Sequence, residues 1–242
     1  MGRIISPNVI NDGLIFCMDF ANKRCYNGDG SGGTIANDLV GYTGFNGEFK
    51  NTSTSFDNSN AGFVTFDGTN DYIQTNFDVF PLPPFTVEIW FKSTNANQIG
   101  GLFSSRLGAS NGYIQFSMFI AGDGNAAGAG NKFACYHRGN NGQRYGNITT
   151  TNVCDGNWHQ GIVISDTTYN SIYIDGVYED GSNALTNINM NYNTDYVIGA
   201  LGNASSYVLP LDGSISNIKY YNRVLSTDEI LQNYNTLKVR FI

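Results

Sequence analysis

Throughout this chain, apolar and polar residues alternate in short runs separated by clusters of Gly, Asn and Asp. The run 85–93, FTVEIWFKS, sets Phe85, Val87, Ile89 and Phe91 against Thr86, Glu88, Trp90 and Lys92. A period of two puts these sets on opposite faces of a strand. Similar runs occupy 13–20, 62–66, 71–75, 100–107, 112–122, 132–139, 157–166, 170–180, 195–201 and 213–225. They predict about eleven strands. Asp175-Gly176 reads as a hairpin turn within 170–180. No regular succession of helices separates the strands, so the pattern predicts an antiparallel β-sandwich rather than βαβ units. The 29 Gly, 15 Tyr and 16 Phe agree with this, because rings suit a pleated surface and Gly suits turns. A chain of this length forms one sandwich domain, 1–242, without a metal or disulfide to support it.

One segment departs from the alternation. In LSTDEILQNYNTL (225–237), Ser226 and Glu229 have capping-box spacing. Asp228 and Glu229 suit the positive end of a helix dipole. Ile230, Leu231 and Tyr234 then form one apolar face, so a short helix is expected to pack on the outside of the sandwich.

The formal charge is −7 and the pI about 4.6. An acidic surface repels phosphate backbones, which excludes nucleic acid as a partner. No run of 18 apolar residues exists to cross a membrane as a helix, and the first residues lack the apolar core of a signal peptide. Cys17, Cys25, Cys135 and Cys154 have no metal-binding spacing and are expected as free thiols. The Gly/Asn tracts at 26–33, 122–131 and 138–147 read as loops, as does ALGNASSY at 200–207.

VTFDGTNDYI (64–73) carries Asp67, Thr69 and Asp71 at the first, third and fifth positions of an EF-hand loop. Tyr72 stands where that loop needs Gly, and strands flank it instead of helices. The stretch therefore reads as a hairpin turn, with Asp67-Gly68 supplying the left-handed position. Asp67 and Asp71 are the candidates for a cation, calcium, at this turn.

Four segments, FVTFDGTNDYI (63–73), FTVEIWFKS (85–93), DGNWHQGIVISDTTYNSIYIDGVYED (155–180) and LDGSISNIKYYNRVLSTDEILQNYN (211–235), together resemble the laminin G-like and pentraxin-like branch of the concanavalin A-like lectin/glucanase superfamily. The resemblance implies an all-β jelly roll of two antiparallel sheets with one short C-terminal helix. GLIFCMDFANKRCYNG and LSTDEILQNYNTLKVRF are also similar to laminin G-like domains in structural proteins of tailed bacteriophages. That likeness implies a virion-surface subunit made in the host cytoplasm, with capsid or tail proteins as partners. Capsid decoration is the leading expectation, and a tail-fibre or cell-surface adhesin the alternative.

The resemblance also locates candidate sites. Pentraxin-type calcium positions fall at Asn111-Gly112 and at 200–207, where Asn203 has no carboxylate beside it, so no metal cofactor is expected. Glucanases of the superfamily use paired carboxylates on one strand face. Here Glu88 stands alone with Trp90 and Lys92, so no hydrolase activity is expected. His159, beside Trp158, belongs to the strand motif. Glycan binding remains, through loop aromatics and amides: Asn111, Tyr113, Tyr136, Asn140, Tyr145, Asn203 and Tyr207.

Overall fold

The computed structural model describes residues 9–26, 34–41, 44–51, 55–57, 62–78, 82–106, 114–121, 131–138, 144–167, 169–183, 195–203 and 206–241. The first sheet holds β1 (Leu14–Asp19), β4 (Ser55–Asp57), β5 (Phe63–Asp67), β7 (Phe85–Lys92), β12 (His159–Ser165), β13 (Tyr169–Ile174), β14 (Val177–Asn183) and β18 (Asp212–Tyr221). Its order is β14-β13-β12-β7-β18-β5-β4, and β1 also pairs with β18. The second holds β2 (Ile35–Asn37), β3 (Asn46–Lys50), β6 (Tyr72–Thr75), β8 (Gly100–Arg106), β9 (Ile114–Ala121), β10 (Lys132–Arg138), β11 (Arg144–Asn152) and β15 (Tyr196–Ile198). Its order is β11-β10-β9-β8-β15-β6-β3-β2. A separate hairpin, β16 (Leu201–Asn203) and β17 (Ser206–Val208), completes the set. Every pairing is antiparallel, as a jelly-roll sandwich requires.

The alternation read from the sequence sorts side chains as expected. Val87, Ile89 and Phe91 of β7 enter the core between the sheets. The middle of that core is aromatic. Phe85 of the first sheet meets Phe116 of the second edge-on at 5.4 Å, and Phe103 stacks on Tyr196 at 4.5 Å. Each fully buried ring contributes roughly 1.5–3 kcal/mol through area removed from water. The four cysteines are buried free thiols.

The helix α1 (Thr227–Leu237) forms with its capping box intact: Ser226 Oγ accepts from the Glu229 amide, and Glu229 accepts from the Ser226 amide. Its buried residues are Ile230, Asn233 and Leu237, whereas Leu231 is exposed. The expected apolar face is thus corrected by one position, because Asn233 is drawn inward by a polar partner on the sheet below. Ile230 joins Ile162, Ile164, Tyr221 and Leu225 in an outer cluster on the first sheet.

The stretch 64–73 is not a hairpin. β5 pairs with β18 and β4 in the first sheet, and β6 pairs with β15 and β3 in the second. Residues 68–71 form a corner that carries the chain across the sandwich. Gly68 (φ 74°) makes the bend, and its amide donates to Leu211 O. Asp175-Gly176, by contrast, is a two-residue hairpin turn with both φ values positive, as expected. Two expected loops also become strands: 144–147 belong to β11, and 201–203 and 206–208 form the β16–β17 hairpin.

Candidate glycan-binding face

The strands β8, β9, β10 and β11 follow one another in space as in sequence. Phe116, Met118 and Ile120 of β9 point into the core, so Ser117, Phe119 and Ala121 face outward. On this outer face Phe119, Ala121, Ala134 and Leu201 form a small cluster, flanked by Ile99, Tyr136 and Ile148. Tyr136 is half-buried. Its ring crosses onto β11, where a Cβ on Gly146 would lie 2.1 Å from Tyr136 Cδ1. Only glycine leaves room there for the ring to lie down. Phe119 packs against the same ring at 4.9 Å.

Register extends this face across the sheet. Tyr136 pairs with Ser117, and Ser117 with Ser104. Ser104 Oγ donates to Ala200 O and accepts from the Gly202 amide, so it pins the β16–β17 hairpin onto the sheet. Gly101 allows the close approach: a Cβ there would lie 2.1 Å from the Ala200 carbonyl carbon. The hairpin presents Val208 and Leu209 to solvent, and Leu209 holds a left-handed φ of 53°. Between Tyr136 and the hairpin, Ser117 Oγ is buried with no hydrogen-bond partner among the described residues. A buried hydroxyl without a partner costs roughly 1–3 kcal/mol.

Tyr136 is the one sugar-binding candidate whose side chain can be placed on this face. Tyr145 lies in β11 paired with His137, and Asn203 and Tyr207 lie in the β16–β17 ladder opposite Ser206 and Gly202. Asn111, Tyr113 and Asn140 lie outside the described residues. No motif in the sequence sets Ser104, Ser117 and Phe119 apart. The alternation of 112–122 marks Ser117 and Phe119 as sharing a face, but it cannot say which face points outward.

The acidic candidates have structural work. Asp67 Oδ1 accepts from the amides of Thr69 (2.8 Å) and Asn70 (3.4 Å), and Asp71 Oδ2 accepts from the Asp67 amide. Among the described residues no group of three or more His, Cys, Asp or Glu side chains is placed to hold a metal. Glu88 is fully buried under α1, and its register partner Lys219 donates to Oε1 at 2.6 Å. Asn233 donates to Oε2 at 2.8 Å. Neither oxygen can meet a substrate. His159 is held between Asp175 (2.8 Å) and Asp155 (3.1 Å). Burial opposes its charging, but these two carboxylates outweigh it and raise its pKa. His137 sits in the core between Phe85 and Phe116, both ring nitrogens without a partner among the described residues, and burial pushes its pKa down to about 3.

Two facing antiparallel sheets, a capped outer helix and a ring-bearing outer face define a lectin-type jelly-roll sandwich. A laminin G-type family profile matches residues 67–231, and the chain belongs to the concanavalin A-like lectin/glucanases superfamily. No curated protein sequence matches it. Among solved structures, it is similar to domain 4 of AbnA, a GH43 extracellular arabinanase from Geobacillus stearothermophilus, in complex with arabinotriose. The TM-score is 0.68 at 14% identity, covering 93% of this chain and 100% of that one. It is also similar to the botulinum neurotoxin type G receptor binding domain, with TM-score 0.63 and 15% identity, covering 93% of this chain and 51% of that one. The binding domain of botulinum neurotoxin DC in complex with SialylT gives 0.65 and 14%, covering 93% and 52%. The chain thus spans about half the length of these neurotoxin domains. At such identities the likeness is one of fold.

Proposed function

We propose that this chain is a non-enzymatic, lectin-like module that binds glycans on the outer face of its second sheet without a metal ion. The observation that carries the reading is the half-buried Tyr136 ring laid over Gly146, at the end of a row that runs through Ser117 and Ser104 to the β16–β17 hairpin. Tyr136, half-buried, offers a ring for the apolar face of a sugar. The bound oligosaccharide in the arabinanase domain supports a carbohydrate as ligand class. The burial of Glu88 and its two donors support the absence of hydrolysis. The described strands of the two sheets share one core, which supports reading 1–242 as a single domain.

Its setting follows from the resemblance of its first and last segments to phage structural proteins. We place the module on the surface of a tailed-phage virion, assembled from the host cytoplasm onto capsid or tail proteins, with decoration of the capsid as its role. The glycan test is an array of neutral and sialylated oligosaccharides probed with the wild type, Tyr136→Ala and Gly101→Ala. Loss of about 1 kcal/mol of affinity or more is expected for Tyr136→Ala. Gly101→Ala should displace the hairpin and abolish binding. Array binding unchanged by both substitutions refutes the face. The setting is tested by co-sedimentation with purified particles, and a protein absent from them refutes it.

A further inference from the structure

A second aromatic surface lies on the other sheet, at its β13–β14 end. Tyr169, Tyr173 and Tyr178 share the outer face of the first sheet. Tyr169 and Tyr178 are 40% and 50% exposed, while Tyr173 is half-buried against the outer cluster beneath α1. The Tyr169 ring lies across β14 at Gly181, where a Cβ would meet its Cε1 and Oη at 2.4 Å. One face of that ring rests on bare backbone, and the other turns to solvent. Tyr169 Oη and Tyr178 Oη are 3.2 Å apart, and Tyr173 meets Tyr178 edge-on at 5.5 Å. Each ring is therefore held by another before any ligand arrives. Leu231 of α1 reaches the turn at Gly176, and none of these four side chains is charged.

We propose that Tyr169, Tyr173 and Tyr178 form a stacking platform for a neutral oligosaccharide, separate from the face on the second sheet. Rings that present one free face suit the axial C–H surface of a pyranose, and tyrosine loses little entropy when held. The paired phenols add a fixed donor and acceptor at the rim for sugar hydroxyls. The lack of charge selects against phosphate and acidic ligands. Size argues against a protein. At these exposures Tyr169 and Tyr178 offer together about 200 Å², whereas a stable protein interface needs roughly 800 Å² per partner. One or two sugar rings match the smaller figure.

The test titrates the full chain with cellohexaose and, separately, maltohexaose, following backbone amide shifts by NMR. Binding of either sugar is expected to move amides within 169–181. Tyr178→Ala and Tyr169→Ala, checked for unchanged melting temperature, should each weaken that response about tenfold. Tyr169→Phe keeps the ring and should keep most of the affinity. Tyr136→Ala should leave the 169–181 response intact, which separates this platform from the face proposed above. The inference is overturned if neither sugar moves these amides at millimolar concentration, or if the response survives both alanine substitutions. It is equally overturned if light scattering shows a dimer of this chain that Tyr178→Ala dissolves, since the patch would then be a protein interface.

Discussion

Glu88→Gln separates a structural carboxylate from a catalytic one. The carboxylate is fully buried, Lys219 is 1% exposed, and they meet at 2.6 Å. Both groups that donate to Glu88 can only donate here: the Lys219 ammonium to Oε1 and the Asn233 amide to Oε2. Gln retains one acceptor, so its NH₂ must face one of these donors. Lys219 keeps Asn217 Oδ1 at 3.2 Å but loses its counter-charge. Removing one partner of a buried ion pair costs about 3–5 kcal/mol. For a chain of this size that lowers Tm by roughly 6–20 °C. Chemical and thermal denaturation read this directly. The double substitution Glu88→Gln, Lys219→Met should recover much of the loss, because no unpaired charge then remains under α1. A Glu88→Gln protein with unchanged Tm, or one that loses glycoside hydrolysis shown by the wild type, would refute the reasoning.

Two histidines give opposite pH dependences. His159 has a raised pKa, so the stability from its clamp is complete below the unfolded value of about 6.5 and is lost as pH rises through the folded value. His159→Gln should remove that alkaline decline in denaturation curves. His137 is held neutral with a pKa near 3. Below about pH 6.5 the unfolded chain binds a proton that the fold refuses, and stability falls by up to about 1.4 kcal/mol per pH unit until pH nears that value. His137→Phe should flatten this acid decline without loss at neutral pH, because neither ring nitrogen has a partner to lose among the described residues. Asp67→Ala should cost about 1 kcal/mol through its two amide contacts. Added calcium or chelator should leave the wild-type Tm unchanged, and a calcium-dependent rise would restore the metal reading.

Local chemistry was readable without coordinates wherever cause and effect lie a few residues apart. The alternation of 85–93 set Val87, Ile89 and Phe91 inward, Ser226 and Glu229 built their capping box, and Asp175-Gly176 turned its hairpin. Each depends on the torsions and spacing of neighbours in the chain. The assignment of strands to sheets does not. A run with one apolar face satisfies that face equally well in either sheet, so 64–73 looked like a hairpin although its halves lie across the core from each other. The same degeneracy hid the two candidate faces. Alternation tells which residues share a face, but only pairing between distant segments shows what covers it. Glu88 is closed off by Lys219 and Asn233, over a hundred positions away. Ser117 reaches the 201–208 hairpin through Ser104, and Tyr169 lies flat because Gly181 arrives beneath it on the next strand. These contacts are set by register and by the packing of sheet, hairpin and helix, which no short stretch of the chain contains.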